Sequence, residues 1–388
     1  MSVINKIHKK HGIALAIASV MFAPLAQAAD VDISGFLSVG GGMVDDADSI
    51  SYDGYDEEDL TFDRNLLGLQ VTGQVNETIS ATAQLIARSE NEYEVTAEWA
   101  YLAWQATDNG KVRAGRLRTP LYMYSDSLDV GYSYPWISAP NEVYYLPFNN
   151  VDGVDYYLTA PLGSFDTSFQ AYFGSFESDF NFEDGTEGYA TLRNQMGVAA
   201  TLGRDWWTLR AAYHQVDLTV DILNSQQLNG FISQLSANPA FSYLVPSIAV
   251  DEDKGTFGEL GLSIDTGRFV AVAEHVEFEV QDSLLAKNVR DYLMVGVRFG
   301  DFLFHVTGSK ADDEVANLSA GIPVSAQTAP LIAALDGIAA AREVDREVVT
   351  LGTRWDVSSG TALKLEIDDV DDANGEQKVL SVALQAVF

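Results

Sequence analysis

The feature of this sequence that most restricts its fold is a two-residue period, repeated in segments of about ten residues. In Leu66 to Val75 the odd positions Leu67, Leu69, Val71 and Val75 are apolar, while Gln70, Thr72 and Gln74 share the other face. Ile79 to Arg88 sets Ile79, Ala81, Ala83, Leu85 and Ala87 against Ser80, Thr82, Gln84 and Arg88. The same split recurs in Phe165 to Phe173, in Leu363, Leu365 and Ile367 against Lys364, Glu366 and Asp368, and in Leu380 to Phe388. Such a period gives a strand two unlike faces. Past the first residues no stretch offers 18 consecutive apolar residues free of charge or proline, so helical membrane spans find no support. Ala320 to Ala341, the nearest candidate, is broken by Pro323, Gln327, Pro330 and Asp336. It reads as a loop with one short helix whose first turn holds Pro330, where the missing N–H costs nothing.

About sixteen alternating segments can be placed, near 31–44, 61–75, 78–89, 93–107, 111–117, 150–160, 165–177, 190–203, 206–220, 255–266, 268–280, 289–300, 302–311, 346–357, 360–370 and 377–388. An even number suits a closed antiparallel barrel. Their connections alternate in length. Short turns of Gly, Asn, Asp and Ser chemistry lie at Asn76-Glu77, Asp108 to Gly110, Pro161 to Ser164, Gly203 to Asp205, Thr266-Gly267, Gly300-Asp301 and Ser358-Ser359. Longer segments lie between them, at 45–60, 118–149, 178–189, 221–254, 281–288 and 312–345. A soluble β-sandwich would also alternate. It would not explain one rim of short turns and one of long loops, nor aromatic residues at segment ends such as Trp99, Tyr101, Trp206, Trp207, Tyr292 and Trp355, which suit the interfacial girdles of a membrane barrel.

The first residues speak for export. Met1 to His11 carries Lys6, Lys9 and Lys10 without an acid, Gly12 to Leu25 is mostly apolar, and Ala26-Gln27-Ala28 is a small-x-small cleavage pattern. This predicts a secretory signal peptide over 1–29 and a single transmembrane barrel domain over 30–388. A retained anchor fits less well, because the apolar run is short and Pro24 interrupts it. The whole chain has 23 basic and 56 acidic residues; losing the three leader lysines leaves 20 against 56, a charge of -36. That excess argues against nucleic acid as a partner. The absence of cysteine excludes disulfides, thiol catalysis and Cys-based zinc sites. Beyond the leader His214, His275 and His305 show no metal-ligand spacing, and no Gly-x-Ser-x-Gly elbow accompanies them, so neither cofactor nor enzymatic activity is expected. The acidic runs at 45–59 and Asp368 to Asp372 do not fit calcium-loop spacing and read as solvated loops. Residues 222–237 carry apolar side chains at helical spacing and predict a short amphipathic helix at the mouth.

At this point the chain resembles the general bacterial (Gram-negative) outer-membrane porins, sixteen-stranded trimeric channels. The terminal strand Gln377 to Phe388, ending on Phe, is similar to the assembly signal of that family, and Arg113-Ala114-Gly115-Arg116 is similar to the Gly-Arg that closes its fifth strand before the loop that folds into the lumen. The family's Pro-Glu-Phe-Gly-Gly loop motif is absent, and Pro140-Asn141-Glu142-Val143 is its nearest equivalent. The resemblance implies a passive outer-membrane channel for ions and small hydrophilic solutes. It also implies a homotrimer in contact with outer-membrane lipid and lipopolysaccharide, and a constriction built from the loop 118–149.

If the apolar parity faces lipid, the other parity lines the channel. Lumen-facing bases are then Arg64, Arg88, Arg193, Arg210, Arg298, Arg354 and Lys364, and lumen-facing acids include Glu94, Glu98, Asp155, Asp166, Glu259, Glu366 and Asp368. Near-balance there sends most of the acidic excess to loops. Arg64, Arg88, Arg113 and Arg116 are the candidates for a basic wall, faced by Asp126, Asp129 and Glu142 from the loop, with Tyr122, Tyr124, Tyr132, Tyr134 and Trp136 as its bulk. Strict alternation from Val112 and Ala114 turns Arg116 towards lipid unless Gly115 bends the strand. Glu274 falls between Val272 and Val276 on the lipid parity, which suggests a subunit contact. Two other readings stay open: a channel specific for an anionic nutrient, and an outer-membrane adhesin or enzyme working through the 221–254 and 312–345 loops.

Overall fold

The structure is a computed structural model that describes residues 30–45, 52, 54, 55, 59–181, 187–222, 226–281, 283, 285, 287–340, 342–373 and 375–388. The leader expected over 1–29 and most of the 45–60 acidic run lie outside the described residues.

Sixteen antiparallel strands close into one barrel: β1 (Val31–Val44), β2 (Thr61–Gln74), β3 (Ile79–Arg88), β4 (Val95–Thr107), β5 (Gly110–Arg118), β6 (Asn150–Leu162), β7 (Phe165–Asn181) and β8 (Glu187–Arg204) form the first half. β9 (Trp207–Ile222), β10 (Asp253–Asp265), β11 (Phe269–Val280), β12 (Lys287–Phe299), β13 (Phe302–Glu314), β14 (Asp345–Ser358), β15 (Thr361–Asp372) and β16 (Gly375–Val387) complete it. Each strand pairs with its neighbours in sequence, and β1 pairs with β16. The terminal residue locks that seam, since Gly35 N donates to Phe388 O at 2.8 Å and Phe388 N donates to Gly35 O at 2.9 Å. A closed sheet leaves no strand edge to be desolvated in lipid, which is why alternation plus an even strand count points to a barrel.

Parity decides the outer surface. Leu67, Leu102, Phe173, Leu293, Phe304, Leu351 and Leu365, one each from seven strands, are 47 to 56 % exposed. Leaving these half-exposed side chains in water would cost roughly 5–10 kcal/mol, about half of the 1.5–3 kcal/mol of full burial apiece, comparable to the whole stability of an ordinary domain. A lipid surround removes that cost. Near the short turns Phe302 stacks between Phe304 and Trp355 at 6.0 and 5.7 Å, an arrangement that suits one interfacial girdle.

In two places apolar parity does not face outward. On β11 Val270, Val272, Glu274 and Val276 are buried on the inner face, because residues 121–146 pack there with Tyr122, Tyr134, Trp136 and Val143. Glu274 is therefore an interior residue and not a subunit contact. On β8 the register slips between Arg193 and Met196, with Asn194 at φ +48. Past this bulge the buried positions switch parity, from Gln195 and Ala199 to Ala190 and Leu192.

The long-loop rim carries helices α1 (Gln226–Ala237), α2 (Val245–Ile248) and α3 (Ala329–Ala340). Pro330 is the second residue of α3. Leu235, Phe241, Leu244 and Ile248 from one loop and Leu335 from the other share a single apolar cluster, so the 221–254 and 312–345 loops are joined above the barrel rim.

Candidate functional site

The densest charge on the inner wall is a four-residue ion network. Arg88, the last residue of β3, falls on its inward parity. It donates to Glu98 Oε1 at 2.9 Å and to Asp129 Oδ1 at 2.5 Å. Arg118, the last residue of β5, donates to the other Asp129 oxygen, and its Nη2 lies 3.7 Å from Glu98 Oε2. Glu98 reaches this point because the β3–β4 register slips between Gln84 and Leu85, leaving Glu98 as the extra residue between Ala97 and Trp99. Asp129 comes from the β5–β6 loop and so ties that loop to the β3–β5 wall. Burial alone would raise the Asp129 carboxyl, but the adjacent Arg118 and Arg88 guanidiniums outweigh it and hold the group below the ordinary aspartate range.

The same loop is held on the opposite side by side chains of β9 to β16. Arg210 donates to the carbonyls of Leu121 and Pro120. Glu274 accepts from Met123 N at 2.9 Å and from the hydroxyls of Tyr144 and Tyr292 at 2.6 and 3.2 Å. Burial keeps the Tyr144 phenol well above its ordinary pKa, so it stays a donor at any physiological pH. Trp136 Nε1 donates to Thr307 Oγ1, Glu366 accepts from Ile137 N, Gln385 donates to Ile137 O, and Arg354 donates to the carbonyls of Tyr132 and Tyr134. Lys364, 1 % exposed, donates to the carbonyls of Gly131, Tyr134 and Trp136. An irregular loop inside a barrel has no ladder to satisfy its backbone, and these wall side chains take the ladder's place. Packed rings fill the remainder, with Trp136 edge-on to Tyr292 at 5.4 Å and Tyr122 tilted against Tyr144 at 4.5 Å.

Between the loop and the β2–β7 side lies an open cavity of about 620 Å³. Arg64, Arg88, Arg116 and Arg118 line it together with Glu90, Glu98, Asp129, Glu177 and Asp179. Arg64 Nη2 stands 3.4 Å from Ser138 Oγ of the loop. Arg116 pairs with Asp152 through two 2.8 Å contacts and lies over the Phe176 ring. Gly115 before it has φ +135, a conformation open to glycine alone, and an added Cβ would meet Ala100 O at 2.2 Å.

The remaining sequence candidates are elsewhere. Arg113 is buried on Asp155, with its Nε 3.0 Å from Oδ1. Asp126 lines a separate cavity of about 190 Å³ with Tyr157, Ser168, Thr201 and Arg210, towards the short-turn end. Glu142 is buried, accepting from Tyr52 and Ser309 hydroxyls at 3.0 and 2.9 Å, and does not line the large cavity. Arg193 is exposed on the outer face, paired in register with Asp217, because the β8 bulge reverses the parity from which an inward position follows. The candidate set lacked Arg118. Its signal was faint: strict alternation from Val112 and Ala114 puts it, like Arg116, on the lipid parity, and only the bend at Gly115 turns it inward.

A family model described as Gram-negative porin matches residues 14–387. No curated protein is matched. Among solved structures, OmpF of Salmonella typhi in complex with daunomycin is similar at 12% identity with a TM-score of 0.58, over 92% of this chain and 97% of that one. The anion-selective porin from Comamonas acidovorans is similar at 13% identity and 0.58, over 92% and 99%. A loop-deletion mutant of OmpT, an outer membrane protein of Vibrio cholerae, is similar at 12% identity and 0.57, over 93% and 100%. At such identities the likeness is one of fold.

Proposed function

We propose, from the premise that this chain belongs to the Gram-negative porin family of outer-membrane channels, that its passage is narrowed between the 118–149 loop and the β2–β5 wall. Arg64, Arg88, Arg116 and Arg118 would form one side of the constriction and Asp129 the near edge of the loop. Arg113 and Asp126 would act further towards the short-turn end. The observation that carries this reading is the Asp129 carboxylate shared by Arg88 and Arg118 beside the large cavity. Fixed charges of both signs across a narrow wet gap orient polar solutes and disfavour apolar ones. Transport is passive, with no catalytic step and no cofactor, after export by the leader.

Four arginines against five carboxylates make the cleft nearly neutral, so it supports a general channel more than one specific for an anionic nutrient. A homotrimer accords with family membership and with the trimer form named for OmpT of Vibrio cholerae. In a planar bilayer the protein should give stepwise ohmic currents in multiples of a trimer unit, and absence of conductance would sink the channel reading. Replacing Arg64, Arg88 and Arg116 together with glutamine should move the reversal potential towards cation preference. An unchanged value would return those arginines to a purely structural role.

A further inference from the structure

Lys364 is a buried lysine outside the lining of the large cavity, and it sits beside the loop's turn at Gly131–Ser133. Its ammonium donates to three loop carbonyls within six residues, those of Gly131, Tyr134 and Trp136, and lies 5.1 Å from the centre of the Tyr134 ring. Gly131 packs so closely on the wall that an added Cβ would meet the Gln385 amide at 2.1 Å. Two residues before it, Asp129 is held by a different stretch of wall, β3 and β5, through Arg88 and Arg118. The segment 129–136 is thus stretched between two anchors, one on β3 and β5 and one on β14 to β16.

We propose that Lys364 is the positioning residue that sets the aperture of the channel. This rests on the reading of the cleft as the solute path. Lysine suits the task because one ammonium has three donors on a flexible stem and can meet three carbonyls from different directions. Without it the carbonyls of 131–136 would be buried against the wall with fewer partners, while lumen water offers partners to a loop that lifts away. Release from the wall is therefore the favoured response, and the gap beside Asp129 changes with it. Gln385 holds only the carbonyl just past this segment, that of Ile137, and Arg354 holds two within it, so their contributions rank below that of Lys364.

The test is single-channel recording of the folded full-length porin in KCl, with Lys364→Met, Lys364→Arg and Gln385→Leu beside the wild type. Lys364→Met should raise the open-channel conductance, bring the reversal potential in a KCl gradient closer to zero and add current noise. Gln385→Leu should do the same to a smaller degree. Lys364→Arg, which keeps a buried donor cation, should restore most of the wild-type values. A Lys364→Met channel with wild-type conductance and reversal potential would overturn the proposal. So would an effect of Gln385→Leu equal to or larger than that of Lys364→Met. If Lys364→Met does not fold, Gln385→Leu and Arg354→Gln decide it, since neither changing the conductance is incompatible with an aperture set by wall contacts. Failure of the solute-path reading itself looks different, because the wild type would then conduct nothing.

Discussion

Asp129 shows how one carboxylate on an irregular loop can be made indifferent to mild acid. Its folded-state pKa lies below that of an unfolded aspartate, near 4. Its ion pairs therefore contribute fully above about pH 4 and are lost only as the pH falls through the lower folded value. Conductance and reversal potential should accordingly stay flat from pH 7 to pH 5 as far as Asp129 is concerned, and change only below about pH 4. Asp129→Asn should produce at pH 7 the state the wild type reaches in strong acid. Breaking a dry buried pair costs about 3–5 kcal/mol, and less is expected here because Arg88 borders the wet cavity. An inflection between pH 5 and 6.5 that Asp129→Asn abolishes would contradict the assignment.

At the scale of one element, β8 shows why parity counting succeeded along most of the barrel and failed at particular residues. Alternation located all sixteen strands, because burial against lipid on one side and water or packed loop on the other is written into every second residue. It located Arg64 and Arg88 beside the cavity for the same reason. It misplaced Arg193, because a single extra residue reverses both faces, and nothing in Arg193-Asn194-Gln195 announces a bulge apart from an asparagine that tolerates positive φ. It misread β11 because the lining of the lumen there is a packed loop, so apolar side chains are correct on the inner face. The partners of Glu142 and Glu274 were beyond reach of any local pattern, since each lies more than 85 residues away in sequence or on another strand. Deleting Asn194 should remove the slip, turn Ala190 and Leu192 out of their cluster with Leu218 and Val280, and drive Arg193 into it. Refolding yield into detergent, read as the fraction resistant to unfolding at room temperature, should fall sharply, whereas Asn194→Gly should fold like the wild type. Normal yield for the deletion would mean that the bulge does not fix the inner face of upper β8.

Across the whole molecule the sequence charge and the channel charge part company. The net charge is -33, yet the cleft sets four arginines against five carboxylates, nearly all within hydrogen-bonding networks of their own. Among the described residues much of the excess is carried near the long-loop rim, where Asp251, Glu252, Asp312, Glu314, Asp345, Glu347, Asp369, Asp371 and Glu376 are exposed, with Arg193, Lys254 and Lys378 as exposed bases and Lys287 and Lys310 half-buried. Charges at a rim act on ions through solvent and are screened over about 10 Å at 0.1 M salt but about 3 Å at 1 M. Charges inside a narrow cleft lie within a few ångströms of the ion and are screened far less. The two locations therefore predict different salt dependence. A rim-driven channel should prefer cations at low salt, because the negative mouth concentrates them, and should lose most of that preference at 1 M. We expect this behaviour, and reversal potentials measured across the same twofold KCl gradient at mean concentrations near 0.1 M and 1 M would check it. A cation preference that persists undiminished at 1 M would place the selectivity at Glu98, Asp129 and their neighbours. An anion preference at either concentration would mean that Arg64, Arg116 and Arg118 are less neutralised by their partners than the contacts indicate.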